Sequence, residues 1–165
     1  MYDVRIERLE QMALFDLKGS RSVIEGWCGH TLPDFPETPL SYNVKDNLEL
    51  MFLGPEHWIL RAPLNMENAL GEVFRPEKAP DEISIVCISD TLAFFSLSGS
   101  EILELMSVVS PLDTNLDVFH VNGSLFSEAF LVKALFVRVG DTIQFGVDRS
   151  FSPMIADYLA RSVAD

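Results

Sequence analysis

The stretch Ile83–Pro111, ISIVCISDTLAFFSLSGSEILELMSVVSP, changes its hydrophobic period once, and that change sets the fold class. Ile83 to Ser89 and Leu92 to Leu97 are apolar and rich in β-branched and aromatic residues, so they read as strands separated by Asp90-Thr91. From Ser98 the pattern turns helical. Ser98-x-x-Glu101 has capping-box spacing, Ile102, Leu103, Leu105, Met106 and Val109 form an apolar run, and Pro111 lies just past its end. Further on, Phe119 to Val121 reads as a short strand. Phe130 to Val139 and Thr142 to Val147 flank Gly140-Asp141, a two-residue hairpin turn. Ser152-Pro153 then supplies an N-cap and an N1 proline to a helix whose inward face is Ile155, Tyr158, Leu159 and Val163.

The upstream half has the same order. Met12 to Lys18 is a strand ending at Gly19, and Ser20 or Ser22 caps a helix that stops at Gly29. Pro33, Pro36 and Pro39 make Leu32 to Leu40 an extended loop. Asn47 to Leu53 and His57 to Ala62 are strands joined by Gly54-Pro55-Glu56. Asn65 is an N-cap candidate for a helix with Met66, Ala69, Leu70, Val73 and Phe74 on one face, ended by Pro76. The order β-α-β-β-α therefore occurs twice, with Gly19-Ser20 answering Gly99-Ser100. The expected fold is α+β: two similar split β-α-β-type halves, antiparallel-rich sheets with helices packed on one face. The Pro-rich Arg75–Pro80 segment marks the expected boundary, giving halves at 1–78 and 79–165 that share one compact unit.

Charge narrows the partners. Twelve basic and 25 acidic residues in 165 leave a net charge of −13, which disfavours nucleic acid and anionic membrane. No Lys or Arg occurs between Lys78 and Lys133, while Asp81, Glu82, Asp90, Glu101, Glu104, Asp113, Asp117 and Glu128 do. This stretch is either a buried sheet with a solvated acidic rim or an acidic face that meets a basic partner. Mean hydropathy of +0.19 favours a buried interface. No apolar run reaches the ~20 residues of a membrane span, and the N-terminus lacks a signal-peptide h-region. Cys28 and Cys87 make no disulfide framework, so a cytoplasmic protein with reduced thiols is expected.

Chemistry-bearing motifs are sparse. Cys28-Gly29-His30 has no second Cys/His pair to complete a zinc site. Ser98-Gly99-Ser100 imitates a nucleophile elbow without its spacing. Phosphate-binding glycine motifs are absent. His57, beside a hairpin turn, is expected to be exposed, and Trp27 and Trp58 are expected to be core anchors. No catalytic set and no metal site emerge from the residues.

Four segments together resemble the gamma subunit of heterotetrameric sarcosine oxidase. Leu53-Gly54-Pro55-Glu56-His57-Trp58-Ile59-Leu60 is similar to that family's L-G-P-[DE]-x-W-L-L hairpin. The segment Ile88–Gly99, with Ser89-Asp90 at its start and Leu97-Ser98-Gly99 at its end, is similar to the family's S-D…L-S-G element. Pro111-Leu112-Asp113 follows the helix as a P-L-D element does, and Arg149-Ser150-Phe151 before Tyr158-Leu159 is similar to the C-terminal R-S-F region. Trp27-Cys28-Gly29-His30 departs from the family, where small apolar residues are expected. The motif residues Gly54, Pro55, Trp58, Asp90, Gly99, Asp113, Arg149, Ser150 and Phe151 are the candidate scaffold and interface positions. Read as scaffold, Gly54-Pro55 turns the hairpin, Trp58 anchors it, and Asp90 accepts backbone hydrogen bonds.

The resemblance implies a small, noncatalytic accessory subunit, related to part of the aminomethyltransferase fold. It implies larger alpha and beta subunits as partners, in a complex that oxidatively demethylates sarcosine. FAD, FMN, NAD and tetrahydrofolate would be bound by those partners, and the chain would pack on the alpha subunit near its folate-dependent domain. The alternative from another class is a stand-alone folate or small-molecule binding module with a pocket near Trp58 and Arg149. A self-associating structural protein is the third reading.

Overall fold

The computed structural model describes residues 2–164. In chain order the elements are β1 (Arg5–Arg8), β2 (Met12–Gly19), α1 (Arg21–Cys28), β3 (Tyr42–Lys45), β4 (Leu48–Gly54), β5 (His57–Pro63), α2 (Glu67–Phe74), β6 (Ile83–Cys87) and β7 (Leu92–Ser98). There follow α3 (Ile102–Val109), β8 (Ser124–Ala129), β9 (Val132–Val139), β10 (Thr142–Asp148) and α4 (Ser152–Ala164). The strands form two five-stranded sheets, β3-β4-β5-β2-β6 and β8-β9-β10-β7-β1, antiparallel throughout. The chain divides into a central unit, 11–89, and a terminal unit made of the first ten residues and 90–165.

In the central unit, alternate residues of the sheet (Phe15, Leu17, Leu50, Trp58, Leu60, Ile83, Ile85) meet Ile24 and Cys28 of α1 and Leu70 and Phe74 of α2 in one buried core. The period of 2 along the strands meets the 3.6 period of the helices, so each element buries one face. The terminal unit repeats the design. Phe95, Leu97, Phe136, Ile143 and Phe145 of its sheet pack on Leu105, Met106 and Val109 of α3 and Ile155 and Leu159 of α4. Its loop after α3 is held by Arg138, which is 5% exposed, lies over the Phe119 ring, and donates from Nη2 to the Thr114 carbonyl. Burial pulls this guanidinium below its ordinary pKa, and Asp141 pushes back.

Two glycines show the repeat most directly. Gly19 ends β2 with φ +111°, and a Cβ there would overlap the Glu82 carbonyl and lie 3.0 Å from Ile83 Cα. Gly99 follows β7 with φ +141°, and its Cβ would overlap the Asp3 carbonyl and lie 2.9 Å from Val4 Cα. Each glycine is where an edge strand enters against the second-innermost one. In the central unit that strand is β6, which follows α2. In the terminal unit it is β1, which comes from the start of the chain.

This edge pairing moves the boundary from the expected 78/79 division. β6 completes the ladder of β2 from Phe15↔Cys87 to Gly19↔Ile83, so Ile83–Cys87 belongs with the first half. Residues 5–8 pair with β7 (Arg5↔Ser98 to Arg8↔Phe95) and belong with the second. The Pro-rich segment 75–80 is a connector inside the central unit, and Arg75 closes α2 in a left-handed conformation. Ile83–Ser89 and Leu92–Leu97 thus lie in different sheets and form no hairpin.

Several local expectations change for similar reasons. β3 and β8 were hidden because each is short and mostly polar or mixed. Phe119–Val121 is not a strand; Phe119 is buried as a single plug under Arg138. Ser98 and Glu101 do not form a capping box. Glu101 instead accepts the Asp3 N–H at 2.5 Å, and Ser100 Oγ donates to Asp3 Oδ2. Asn65 lies within a 3-10 turn and does not cap α2. Ser152 is the first residue of α4, and the side-chain cap is that of Asp148 on the preceding 3-10 turn Arg149–Phe151, where it accepts from Ser150 N and Oγ.

Candidate functional site

The richest polar cluster lies on the face of the central sheet opposite its helices. Register places Tyr42, Glu49, Met51, Ile59, Arg61, Leu14, Asp16, Lys18 and His57 there. Arg61 is only 2% exposed and its Nε donates to Glu49 Oε2. Burial raises the Tyr42 phenol pKa above 10.0, Glu49 raises it further, and Arg61 opposes both. Beside this, His57 Nε2 lies 2.6 Å from Asp16 Oδ1, and Lys18 Nζ lies 2.8 Å from Asp16 Oδ2. A carboxylate only accepts, so Nε2 carries the proton. His57 is therefore half-buried and hydrogen-bonded to Asp16, not a free surface histidine.

The geometry provides the orienting half of a nucleophile–base pair and no nucleophile. Among the described residues, no Ser, Thr or Cys group is hydrogen-bonded to His57, and no cluster of three potential metal ligands occurs. Burial pushes the Cys28 thiol up to about 11, so it is protonated at neutral pH. Cys87 is exposed on edge strand β6, with Sγ 3.3 Å from Ser89 Oγ. A thiol reagent at pH 8 should therefore modify one cysteine quickly, Cys87, and leave Cys28 protected until the chain unfolds. Equal labelling of both in the native protein, read by peptide mass, would contradict the burial argument.

The nine motif residues do not converge. Gly54 ends β4 beside a register shift and has open space around its Cβ position. The left-handed residue of that turn is Glu56, φ +54°, so Gly54 does not supply the turn's unusual backbone. Pro55 is exposed. Trp58 is 4% exposed and packs edge-on against Phe35 at 4.8 Å, which makes it a core anchor as expected. Among the described residues its buried Nε1 has no hydrogen-bond partner. Asp90 is exposed, and it is Ser89 that ties the segment down. Ser89 Oγ accepts the Leu14 N–H at 3.0 Å, and the Ser89 carbonyl accepts from Gln11 Nε2.

In the terminal unit, Gly99 receives β1 and Asp113 accepts two hydrogen bonds from Asn115. Arg149 is exposed and its backbone N–H bonds the Thr91 carbonyl; Ser150 bonds Asp148; Phe151 is 44% exposed. Trp58 and Arg149 stand in different units. The sequence reading missed Arg61 and Glu49. Their signal was a lone charge in each of two apolar strands, LELMF and WILRA.

The terminal unit also has a groove of about 420 Å³ between β1 and α4. Val4, Ile6, Phe95, Ala156, Ala160 and Val163 line it, and Arg8 is its single polar side chain. A pterin needs several hydrogen-bond partners when it leaves water. These residues therefore do not fit a folate headgroup.

No family model and no curated protein match the sequence. Among solved structures, a chain of heterotetrameric sarcosine oxidase from Corynebacterium sp. U-96, in complex with pyrrole 2-carboxylate, superposes with a TM-score of 0.84 at 16% identity, over 96% of this chain and 83% of that one. The fold is that of a sarcosine oxidase chain. The glycine cleavage system aminomethyltransferase T from Bartonella henselae matches at TM-score 0.67 and 13% identity, and this chain spans 45% of it. The ligand-free regulatory subunit of aspartate kinase from Thermus thermophilus matches at 0.52 and 12%, over 98% and 97% of the two chains. At these identities the sarcosine oxidase likeness is one of backbone architecture. Among the described residues, no helix is long and apolar enough to cross a membrane.

Proposed function

We propose that the chain is the noncatalytic gamma-type accessory subunit of a sarcosine-oxidase-like heterotetramer that oxidatively demethylates sarcosine. It packs on the large alpha subunit near the folate-dependent domain, in the cytoplasm. FAD, FMN, NAD and tetrahydrofolate belong to the larger subunits. The observation that carries this reading is the fold match to the sarcosine oxidase chain, with a TM-score of 0.84 over 96% of this chain, against 0.52 for the aspartate kinase regulatory subunit at similar coverage. The dispersal of the motif residues over both units suits a scaffold role.

The likeness to aminomethyltransferase T favours a rival, stand-alone folate binding. The apolar lining of the groove between β1 and α4 argues against it there. Purification of the tagged chain from its native cell separates the two readings. The expected result is a yellow complex containing two larger subunits and flavin absorbance. A colourless chain that elutes alone and binds tetrahydrofolate would overturn the accessory reading.

A further inference from the structure

The same hairpin turn is built twice, from opposite kinds of residue. Between β3 and β4, Asp46 and Asn47 take φ +50° and +65°. Between β8 and β9, Phe130 and Leu131 take φ +48° and +67°. Two consecutive left-handed residues form the turn that matches strand twist, and Asn, Asp and Gly are its ordinary occupants. The central unit follows that rule. The terminal unit places two bulky apolar residues there, an outlier for this backbone region, and Leu131 is 88% exposed. Neither hydrophobic burial nor turn preference accounts for a leucine at that tip.

The surroundings extend the patch. The Phe130 N–H bonds the Val109 carbonyl at 2.8 Å, so the turn abuts the end of α3. The Phe130 ring meets Tyr158 of α4 edge-on at 5.3 Å. Val108 is 53% exposed, and Leu103 and Tyr158 are also exposed. Glu104 and Asp157 are carboxylates on these two helices, and α3 with its following loop to Asn122 carries no cation. Of the nearby cations, Lys133 lies over the Phe126 ring at 4.3 Å and Arg161 pairs with Asp157 at 2.9 Å. A second copy, with its own charge of −13, is a poor occupant.

We infer that the Phe130–Leu131 turn, flanked by Val108 and Tyr158, is the knob that docks this chain into an apolar, basic-rimmed pocket on the larger subunit. This rests on the accessory-subunit reading above. An exposed aliphatic side chain on a tight turn inserts with little loss of conformational freedom, and the chain's net charge of −13, with a cation-free α3 and following loop beside the turn, favours a basic rim.

The test uses Leu131→Asn, which restores ordinary turn chemistry and so keeps the fold, together with Val108→Lys, which replaces an exposed apolar side chain at the end of α3 with a cation. Each full-length variant and the wild type are titrated against the purified alpha-type subunit, with melting curves and sedimentation of the chain alone. The expected result is at least about a tenfold loss of affinity for both variants, melting of Leu131→Asn no lower than wild type, and slower wild-type association as salt rises. Unchanged affinity of both variants overturns the docking surface and leaves the accessory reading intact. Failure of the wild type to bind overturns the accessory reading, and with it the proposed occupant. A wild-type dimer that Leu131→Asn converts to monomer assigns the knob to self-association and overturns the proposal.

Discussion

Replacing Gly99 with alanine lowers the unfolding free energy by about 4 kcal/mol, the combined cost of a disfavoured backbone region and a steric overlap. The residue has φ +141°, where an L side chain is strained whatever the space. The space is absent as well, because the new Cβ would overlap the Asp3 carbonyl and lie 2.9 Å from Val4 Cα. Relief requires β1 to move from β7, which breaks pairs from Arg5↔Ser98 onward and uncovers Val4 and Ile6. Gly19→Ala should behave alike through Glu82 and β6, where φ is +111°. Gly26→Ala is the control. It lies in the exposed interior of α1 with nothing within 4 Å of its Cβ position, and should stabilise slightly through helix propensity. Urea denaturation of the three variants measures the contrast. A Gly99→Ala protein within about 1 kcal/mol of wild type would mean that β1 is not held at this glycine.

Arg61→Ala is the second large effect, with an expected loss of about 3 kcal/mol. Arg61 is 2% exposed and pairs with Glu49, which stands opposite it in the ladder. Truncation leaves a partly buried carboxylate without its cation, and it is this uncompensated charge that costs stability. Arg161→Ala removes an exposed pair with Asp157 and should change stability by less than about 1 kcal/mol. The Arg61 variant also carries a pH signature. The folded-state pKa of Tyr42 is raised above 10.0, so its contribution is complete below that value and is lost as pH rises through the folded pKa. Arg61 normally offsets part of this shift. Without it the phenol holds its proton more tightly in the folded state, and the loss of stability above pH 10 becomes larger. Melting curves from pH 7 to 11 would show the variant and wild type diverging further on the alkaline side; parallel curves would contradict the coupling.

The motif positions show what could be read in advance. Gly99 was visible only as a glycine between a strand and a helix; that it is where β1 makes its close approach was shown only by the folded chain. Trp58 was legible as an anchor because a large apolar residue beside a hairpin turn has few other places to go. Asp90 was not, because its neighbour Ser89 makes the long-range bond to Leu14 N, and nothing local distinguishes the two. Leu131 was hidden for the opposite reason. Phe130 to Val139 reads as one unbroken strand, and only the pairing Ala129↔Val132 shows that two of its apolar residues form a turn.

Period and punctuation by themselves determined the α+β class, the internal repeat, most strand and helix positions, and the acidic surface. These are local properties, written in the alternation of MALFDLK, the spacing of Ile155 and Leu159, and the placement of Gly and Pro. Which strand completes which sheet was decided only by tertiary structure. Edge strands β1 and β6 are short, and either could pair with any sheet that exposes backbone donors and acceptors. The choice rests on contacts between residues far apart in the chain, Gly99 with Asp3 and Gly19 with Glu82, where only a glycine lets the two backbones approach. Such contacts leave no periodic trace, and so the boundary between the units and the exposed Leu131 knob became visible only once the chain was folded.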